Sequence, residues 1–362
     1  MLKNLFDQYV SLIKSHLPHK KEATPSIGLD IGTDACKAIE IVPQEDSFEI
    51  VNWAVESVES DGLVPAVKRI FDKFNIESKS IYPAISGQGT LIRYIDDLPR
   101  MVIEDLRKSI TLEGDKHFPF PKETIYTDCY ILDSNNKQGK MSVLVAAAKK
   151  GIVEQRLQLL NEMNVHVDFI GINPIAIANV FNMLKTKALG HGAEAVTTGD
   201  SSVVAILDIG DTVSDLIILK DYLPRFTRDI FIGGKDFNKR ISNVFDVGIT
   251  EAEKIKRHPQ EKLSEVLTAC DSILMNLISE LRLSFDYFVT EYNTPITRLY
   301  LAGGTSLLSG LAEFFTKNLD LTVMRWDPLA SLKISPRISK EEIEENASRL
   351  GVSLGLALYH FE

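Results

Sequence analysis

"AILDIGDTVSDLIIL", residues 205–219, runs from an apolar stretch into Asp-Ile-Gly, crosses a polar turn and returns as a second apolar stretch. That is the pattern of two buried strands joined by a tight turn. A carboxylate such as Asp208, ending a strand that is otherwise buried, is costly unless it is solvated, paired or bound to a cation. "SIGLDIGTDACKAIEI", residues 26–41, repeats the design, with Asp30 followed by Ile31 and Gly32. The two aspartates lie 208 − 30 = 178 positions apart. A solenoid repeat spans only ~20–50 residues. The period therefore predicts two similar half-domains facing each other, with a paired phosphate or cation site between them.

The chain has 362 residues, 44% of them hydrophobic, enough for one large two-lobed unit or two to three domains. A formal charge of −10 argues against nucleic-acid partners, which call for a basic stripe. No apolar run approaches the ~18 residues of a membrane-spanning helix. The start, "MLKNLFDQYVSLIKSHLPHKK", lacks the apolar core and cleavage site of a signal peptide, so a cytoplasmic protein is expected. Cys36, Cys129 and Cys270 are odd in number and far apart, which predicts reduced thiols and no zinc site.

Leu2, Leu5, Phe6, Tyr9, Val10, Ile13 and Leu17 recur at helical spacing, predicting an amphipathic helix over 2–17. A Pro- and Lys-containing connector then runs to about residue 22. That helix either packs on its own domain or, with Lys3, Lys14, Lys20 and Lys21, meets a membrane surface or a partner. Strands are expected at 47–58 and on either side of "SGQGT" within 80–97, with helices over 63–75 and 101–113. "TIYTDCYIL" and "KMSVLVAAA" read as a hairpin, followed by a helix over 151–164 and a strand, "VHVDFIGI", over 165–172. A helix opens at Asn173-Pro174, where proline's missing N–H costs nothing. The Gly- and Thr-rich tract 189–202 reads as the loop between lobes. The second lobe continues with a strand at 225–232, a helix after Gly233-Gly234, and a long helix over 263–292. A strand, "ITRLYLAGG", runs straight into the helix of "TSLLSGLAEFFTKNL".

These residues imply a specific chemistry. Backbone N–H groups of the two hairpin turns, around Gly32-Thr33 and Gly210-Thr212, cradle phosphates. Asp30 and Asp208 hold Mg²⁺ directly or through its waters, and Lys37 neutralises a terminal phosphate. Gly303, Gly304 and Thr305 follow a buried strand, where glycine lets the backbone approach a nucleoside and aims helix N–H groups at it. Glu253 and Lys256, one helical turn apart, either reach the base or ribose or form a solvated helix face.

The chain resembles the actin-like ATPase superfamily in its two phosphate motifs and its adenosine motif. Within it, the chain resembles the PilM group of type IV pilus assembly proteins, relatives of the cell-division protein FtsA. The closer match is carried by "RYIDDLPRMVIEDLRKSITLEGDKHFPFPKETIYTD", "VLVAAAKKGIVEQRLQLLNEMNV", "INPIAIANVF", "RDIFIGGKDFNKRI", "TEAEKIK" and "LAGGTSLLSGLAEFF". It covers about 26–360, and its leucine-proline, "PFP" and "VAAAKK" elements are specific to the pilus group.

The resemblance implies an α/β, two-lobed actin-like (ribonuclease H-like) fold with ATP and Mg²⁺ in the cleft. The first lobe is expected over 23–188, with an FtsA-type inserted small subdomain at about 79–164. The second lobe is expected over 203–325, with a C-terminal segment, 326–362, returning to the first. It further implies a cytoplasmic scaffold, peripheral at the inner membrane through its partners. Those partners are the cytoplasmic tail of a PilN-like protein and other pilus assembly proteins. The alternatives are a GspL-like component of a type II secretion system, an FtsA-like filament and, last, a small-molecule kinase.

Three departures from the superfamily bear on activity. Asp34, Asp211 and Asp215 stand around the two turns where small or hydroxyl residues are usual, and carboxylates repel a triphosphate unless a cation intervenes. Asn173 stands where relatives carry a glutamate that orients water. An amide is no general base, so Asn173 either positions water by hydrogen bonding or caps its helix. ATP hydrolysis is accordingly expected to be slow at most.

Overall fold

The computed structural model describes residues 24–361, apart from Asp46, 59–61, 77–78, 137–138, Asp168 and 189–202. The helix expected over 2–17, its connector and the loop at 189–202 lie outside the described residues. No helix among the described residues is long and apolar enough to cross a membrane.

The first half builds β1 (Ser26–Ile31), β2 (Ala35–Pro43) and β3 (Phe48–Ser57) as an antiparallel meander, then α1 (Leu63–Phe74). From there the chain crosses to β4 (Ser80–Ile85), parallel to β1 on its other side. A separate antiparallel sheet follows, from β5 (Thr90–Leu98), α2 (Ile103–Leu112), β6 (Ile125–Asp133) and β7 (Met141–Lys149), with strand order β5-β7-β6. α2 covers it, and Leu106, Ile110, Phe118, Val143 and Val145 fill its own core. β4 is hydrogen-bonded to β1 and belongs to the first sheet, so the separate sheet begins only after Ile85, within the span of about 79–164 expected for the insertion. α3 (Lys150–Asn161), β8 (Gly171–Ile172) and α4 (Asn173–Ala188) complete the half.

The second half repeats the plan. β9 (Val203–Ile209), β10 (Ser214–Lys220) and β11 (Leu223–Ile230) form the meander. α5 (Gly234–Phe245), α6 (Ile249–Arg257) and α7 (Leu263–Tyr292) lead to β12 (Arg298–Ala302), parallel to β9, and α8 (Leu311–Leu319) leads to β13 (Thr322–Arg325). The sheets read β3-β2-β1-β4-β8 and β11-β10-β9-β12-β13, the same order twice, with β14 (Lys333–Ile334) added beside β3. α9 (Lys340–Asn346) and α10 (Gly351–Leu358) bring the C-terminus back onto the first sheet. The 178-residue period thus corresponds to two copies of one topology.

α4 and α10 form the layer between the sheets, and Ile39, Ile41, Ile177, Phe181, Ile206, Ile217 and Leu354 pack there as one core. Strands covered on both faces read as near-continuous apolar runs, which accounts for "AIL" and "LIIL". The side chains facing this inner layer are Val204 and Ile206 on β9 and Ile217 and Leu219 on β10. Asp208 and Asp215 continue those rows by the two-residue alternation of a strand. The inner faces are therefore apolar where the helices cover them and ionisable where the helices stop. That is the place of the carboxylates.

Two expected elements differ. The strand over 165–172 shrinks to Gly171–Ile172, because Val165 and Val167 bury against the outer core of the first lobe, without a neighbouring strand to pair with. Gly304–Leu307 forms a 3₁₀ turn, and α8 starts only at Leu311, after Gly310 at φ 78° breaks the run.

Candidate functional site

The inner faces of the two sheets end in a cleft of about 800 Å³, its open mouth included. Asp30, Gly32, Thr33, Lys37, Asn173, Asp208, Gly210, Thr212, Gly234, Glu253, Lys256, Gly303, Gly304 and Thr305 all line it. Gly233, counted with Gly234 among the nucleotide-binding residues expected from the sequence, does not. It lies behind the second turn, where Gly234 N–H donates to the Gly210 carbonyl and Lys235 N–H to that of Asp211, both at 2.8 Å. The start of α5 therefore braces the turn and spends those two donors on it.

The turns are equivalent in detail. Gly32 N–H donates to the Ala35 carbonyl at 3.2 Å and Gly210 N–H to the Val213 carbonyl at 3.1 Å. They touch across the cleft, the Thr33 hydroxyl donating to Asp211 Oδ2 at 3.1 Å. These two residues are also 178 apart, so the contact joins equivalent positions of the two halves. Gly303 holds φ 82°, and a Cβ there would lie 2.3 Å from Asp208 Oδ1. Only glycine suits that conformation and that approach.

Strand pairing sets the charges. Asp30 lies opposite Lys37 in the β1–β2 ladder, and the two form an ion pair at 2.9 Å. The equivalent of Lys37 is 37 + 178 = 215, an aspartate, so Asp208 faces Asp215, which in turn faces Asp229 on β11. Asp215 is only 6% exposed and its Oδ1 has no hydrogen-bond partner. Burial, with Asp229, Asp208 and Asp30 around it, pushes its carboxyl well above the ordinary range. Burial also raises Asp208 to about 6, with Lys37 opposing and Asp30 adding. Asp211 is raised by burial as well, partly offset by the Thr33 hydrogen bond. Burial works against the charge of Lys37, but Asp30 and Asp208 raise its pKa overall.

Two further cations, Lys256 and Arg257 on α6, line the cleft. Glu253 accepts from Lys256 at 2.5 Å, from Arg257 at 2.6 Å and from Asn238 at 2.6 Å. Burial alone would raise its pKa, and these donors hold it below the usual value. Lys256 is 4% exposed, so this pair is part of the cleft wall and not a solvated helix face. Asn173 is the first residue of α4 and reaches the cleft from the inter-sheet layer.

Sequence reasoning missed Arg257 and Arg349, which both line the cleft. Arg257 was within reach of it, four residues after Glu253 on the same helix. Arg349 arrives from the C-terminal segment, and no local pattern marks it. Cys36, Cys129 and Cys270 are free thiols, all buried.

The donor set fits a hard divalent cation in one respect: Asp208 and the unpartnered Asp215 Oδ1 are carboxylate oxygens in need of a positive partner. Among the described residues, no three His, Cys, Asp or Glu side chains converge as a complete metal cage. Magnesium commonly takes one or two carboxylates and fills its remaining positions with water and phosphate oxygens. Asp30, the other residue expected to hold the metal, lines the same cleft and is ion-paired with Lys37.

The model of the family described as Type IV pilus assembly protein PilM matches residues 28–361. The chain belongs to the PilM family. Among solved structures, a PilM–PilN type IV pilus biogenesis complex is similar at 24% identity and a TM-score of 0.79, over 93% of this chain and 98% of that one. The ethanolamine utilization protein EutJ from Carboxydothermus hydrogenoformans is more distant, at 15% identity and a TM-score of 0.49, over 92% and 89% of the two chains. MreB5 of Spiroplasma citri bound to ADP gives 15% identity and a TM-score of 0.44, over 93% and 96%. The fold of this PilM-family chain is the two-lobed actin-like fold, and its family works in type IV pilus assembly.

Proposed function

We propose that the chain is an ATP-binding scaffold of the pilus assembly machinery, holding MgATP in the cleft and the cytoplasmic tail of a PilN-like membrane protein on its surface. The observation that carries the nucleotide reading is the meeting of three elements in one cleft: the two Asp-Ile-Gly turns and the Gly303–Thr305 loop. The division of charge supports it, with carboxylates Asp30, Asp208 and Asp215 for a metal and cations Lys37, Lys256 and Arg257 for an anion. A metal–polyphosphate ligand has that polarity. When bound, Mg²⁺ would neutralise the phosphates against the extra carboxylates Asp34, Asp211 and Asp215. The tail partner is suggested by family membership together with the PilM–PilN complex of the similar structure. Contacts with other pilus proteins, and with the membrane surface through residues 2–17, belong to the same reading. The protein would then sit on the cytoplasmic side, peripheral at the inner membrane through its partners.

In this reading ATP is a structural ligand more than a fuel. Asn173 lines the cleft at the head of α4 and carries no group that can take a proton from water. Loss of a general base typically forfeits ~10²–10⁴-fold in rate. Phosphate release from MgATP is therefore expected to be slow, and Asn173→Glu is expected to raise it tenfold or more. Brisk release at several turnovers per second by the unaltered protein would contradict this. An unchanged rate in Asn173→Glu would remove Asn173 from the water position.

A further inference from the structure

We infer that Arg349 receives the phosphate chain of the cleft ligand, as an anion-binding side chain supplied by the C-terminal segment. The inference rests on the reading of the cleft as a nucleotide site and names the part of the ligand that this residue takes.

Arg349 is 8% exposed and lines the cleft beside Gly303 and Gly304. Its Nη1 donates to the neutral Asn346 Oδ1 at 2.9 Å, while its Nε is buried with no hydrogen-bond partner. Of the carboxylates whose charge it feels, Asp30 is paired with Lys37 and Glu253 with both Lys256 and Arg257, while Asp34 is exposed on the first turn and forms no ion pair with it. Among the described residues, no carboxylate forms an ion pair with Arg349. Burial, with the like charge of Arg257, lowers its pKa to about 10, which leaves the guanidinium charged at neutral pH. A buried charge without a counter-ion is among the costliest arrangements in a protein. A group kept in that state at a ligand cleft calls for an anion from the ligand. The flat guanidinium fork pairs best with carboxylate or phosphate oxygens.

Its position selects the phosphate chain. The Ser348 carbonyl accepts the Gly303 N–H at 2.8 Å, and the Ser306 hydroxyl donates to Ser348 Oγ at 3.1 Å. The turn bearing Arg349 is thereby stitched to the glycine loop. Arg349 Nε lies 3.9 Å from where a Gly304 Cβ would stand. Lys37, on β2 of the first lobe, lines the same cleft. Two cations from distant parts of the chain thus line one cleft, which suits a di- or triphosphate and gives a bare nucleoside no charge to pair with.

The test titrates ATP, ADP, adenosine and inorganic pyrophosphate, each with Mg²⁺, into the full chain by calorimetry, for wild type, Arg349→Met and Arg349→Lys. Melting temperature without ligand is measured alongside. In Arg349→Met, affinity for ATP, ADP and pyrophosphate should fall by ~10–100-fold, the loss expected for a charge-assisted fork contact, with adenosine unchanged. Arg349→Lys should recover part of the loss. Without ligand, Arg349→Met should melt no lower than wild type, because it removes an uncompensated charge. Equal ATP affinity in Arg349→Met, or an equal loss for adenosine, overturns the inference. So does a lower unliganded melting temperature with unchanged affinity, which would mark a structural arginine. Should Arg349→Met not fold, Arg349→Lys decides by the same comparison of pyrophosphate with adenosine. Pyrophosphate binding that depends on Arg349, without ATP binding, would sink the nucleotide reading and leave this inference standing. ATP binding indifferent to Arg349 would do the reverse, and no binding of either by wild type would end both.

Discussion

The Asp208→Asn protein is expected to keep its fold and to lose most of the stabilisation that MgATP gives to the wild type. Asparagine preserves the shape of the side chain beside Gly303 but removes the charge that a metal needs. A ligand bound only by the native state at ~100 times its Kd stabilises by about 2.7 kcal/mol. For a chain of this size that is a rise of roughly 3–4 °C in Tm. The wild type should show it and Asp208→Asn only a small part. Scanning calorimetry of both proteins with and without MgATP measures this, and equal responses would remove Asp208 from the metal site.

The same carboxylate sets a pH dependence of opposite sign in the two states. Burial raises Asp208 to about 6 from its ordinary value of 3.8. The unliganded fold thus favours the protonated form, and this contribution to stability is complete below about pH 4. It is lost as pH rises through about 6. Metal binding requires the ionised form, so the MgATP-induced rise in Tm should grow between pH 5 and 7. In Asp208→Asn both trends should flatten.

The largest loss of stability is expected from Gly355→Ala. A Cβ at Gly355 would lie 1.7 Å from the Ala176 carbonyl oxygen and 2.3 Å from its carbon. These are backbone atoms of α4, where α10 crosses it, and no rotamer change can relieve the clash. Gly28 makes a like approach on β1, where a Cβ would lie 1.8 Å from the Ser353 carbonyl oxygen. Overpacked cores usually lose ~1–3 kcal/mol, and this crossing should exceed that range. The two helices form the layer that joins both sheets, so ligand affinity should fall with stability. Soluble yield and melting temperature check it, and a variant melting within about 2 °C of wild type would contradict the crossing geometry.

Much of the site was legible because its signals are local. Each Asp-Ile-Gly turn carries its carboxylate, its glycine and its flanking strands within eighteen residues. Their 178-residue spacing exposed the duplicated topology. The spacing of Glu253 and Lys256 left two readings open, and only packing against Asn238 and α5 excluded the solvated helix face. What stayed hidden depends on contacts distant in sequence. Arg349 reaches the cleft because Ser348 is bonded to Gly303 and Ser306, a pairing that no periodicity announces. The placement of β4 beside β1 is likewise a long-range ladder that no local pattern marks. Asp215 stood out in the sequence as an unusual acid, but its pairing with Asp208 and Asp229 needed the register.

Calorimetric titration of a synthetic PilN-like cytoplasmic tail into the full chain tests the scaffold reading most directly. It would be run without nucleotide, with MgATP and with a non-hydrolysable analogue. A ligand shifts a conformational equilibrium only through unequal affinity for the two states, and hydrolysis plays no part in that. The tail should therefore bind with one affinity under MgATP and under the analogue, and with a different one when nucleotide is absent. Tail binding that is the same in all three conditions, or that appears with MgATP alone, would contradict a scaffold set by its bound nucleotide.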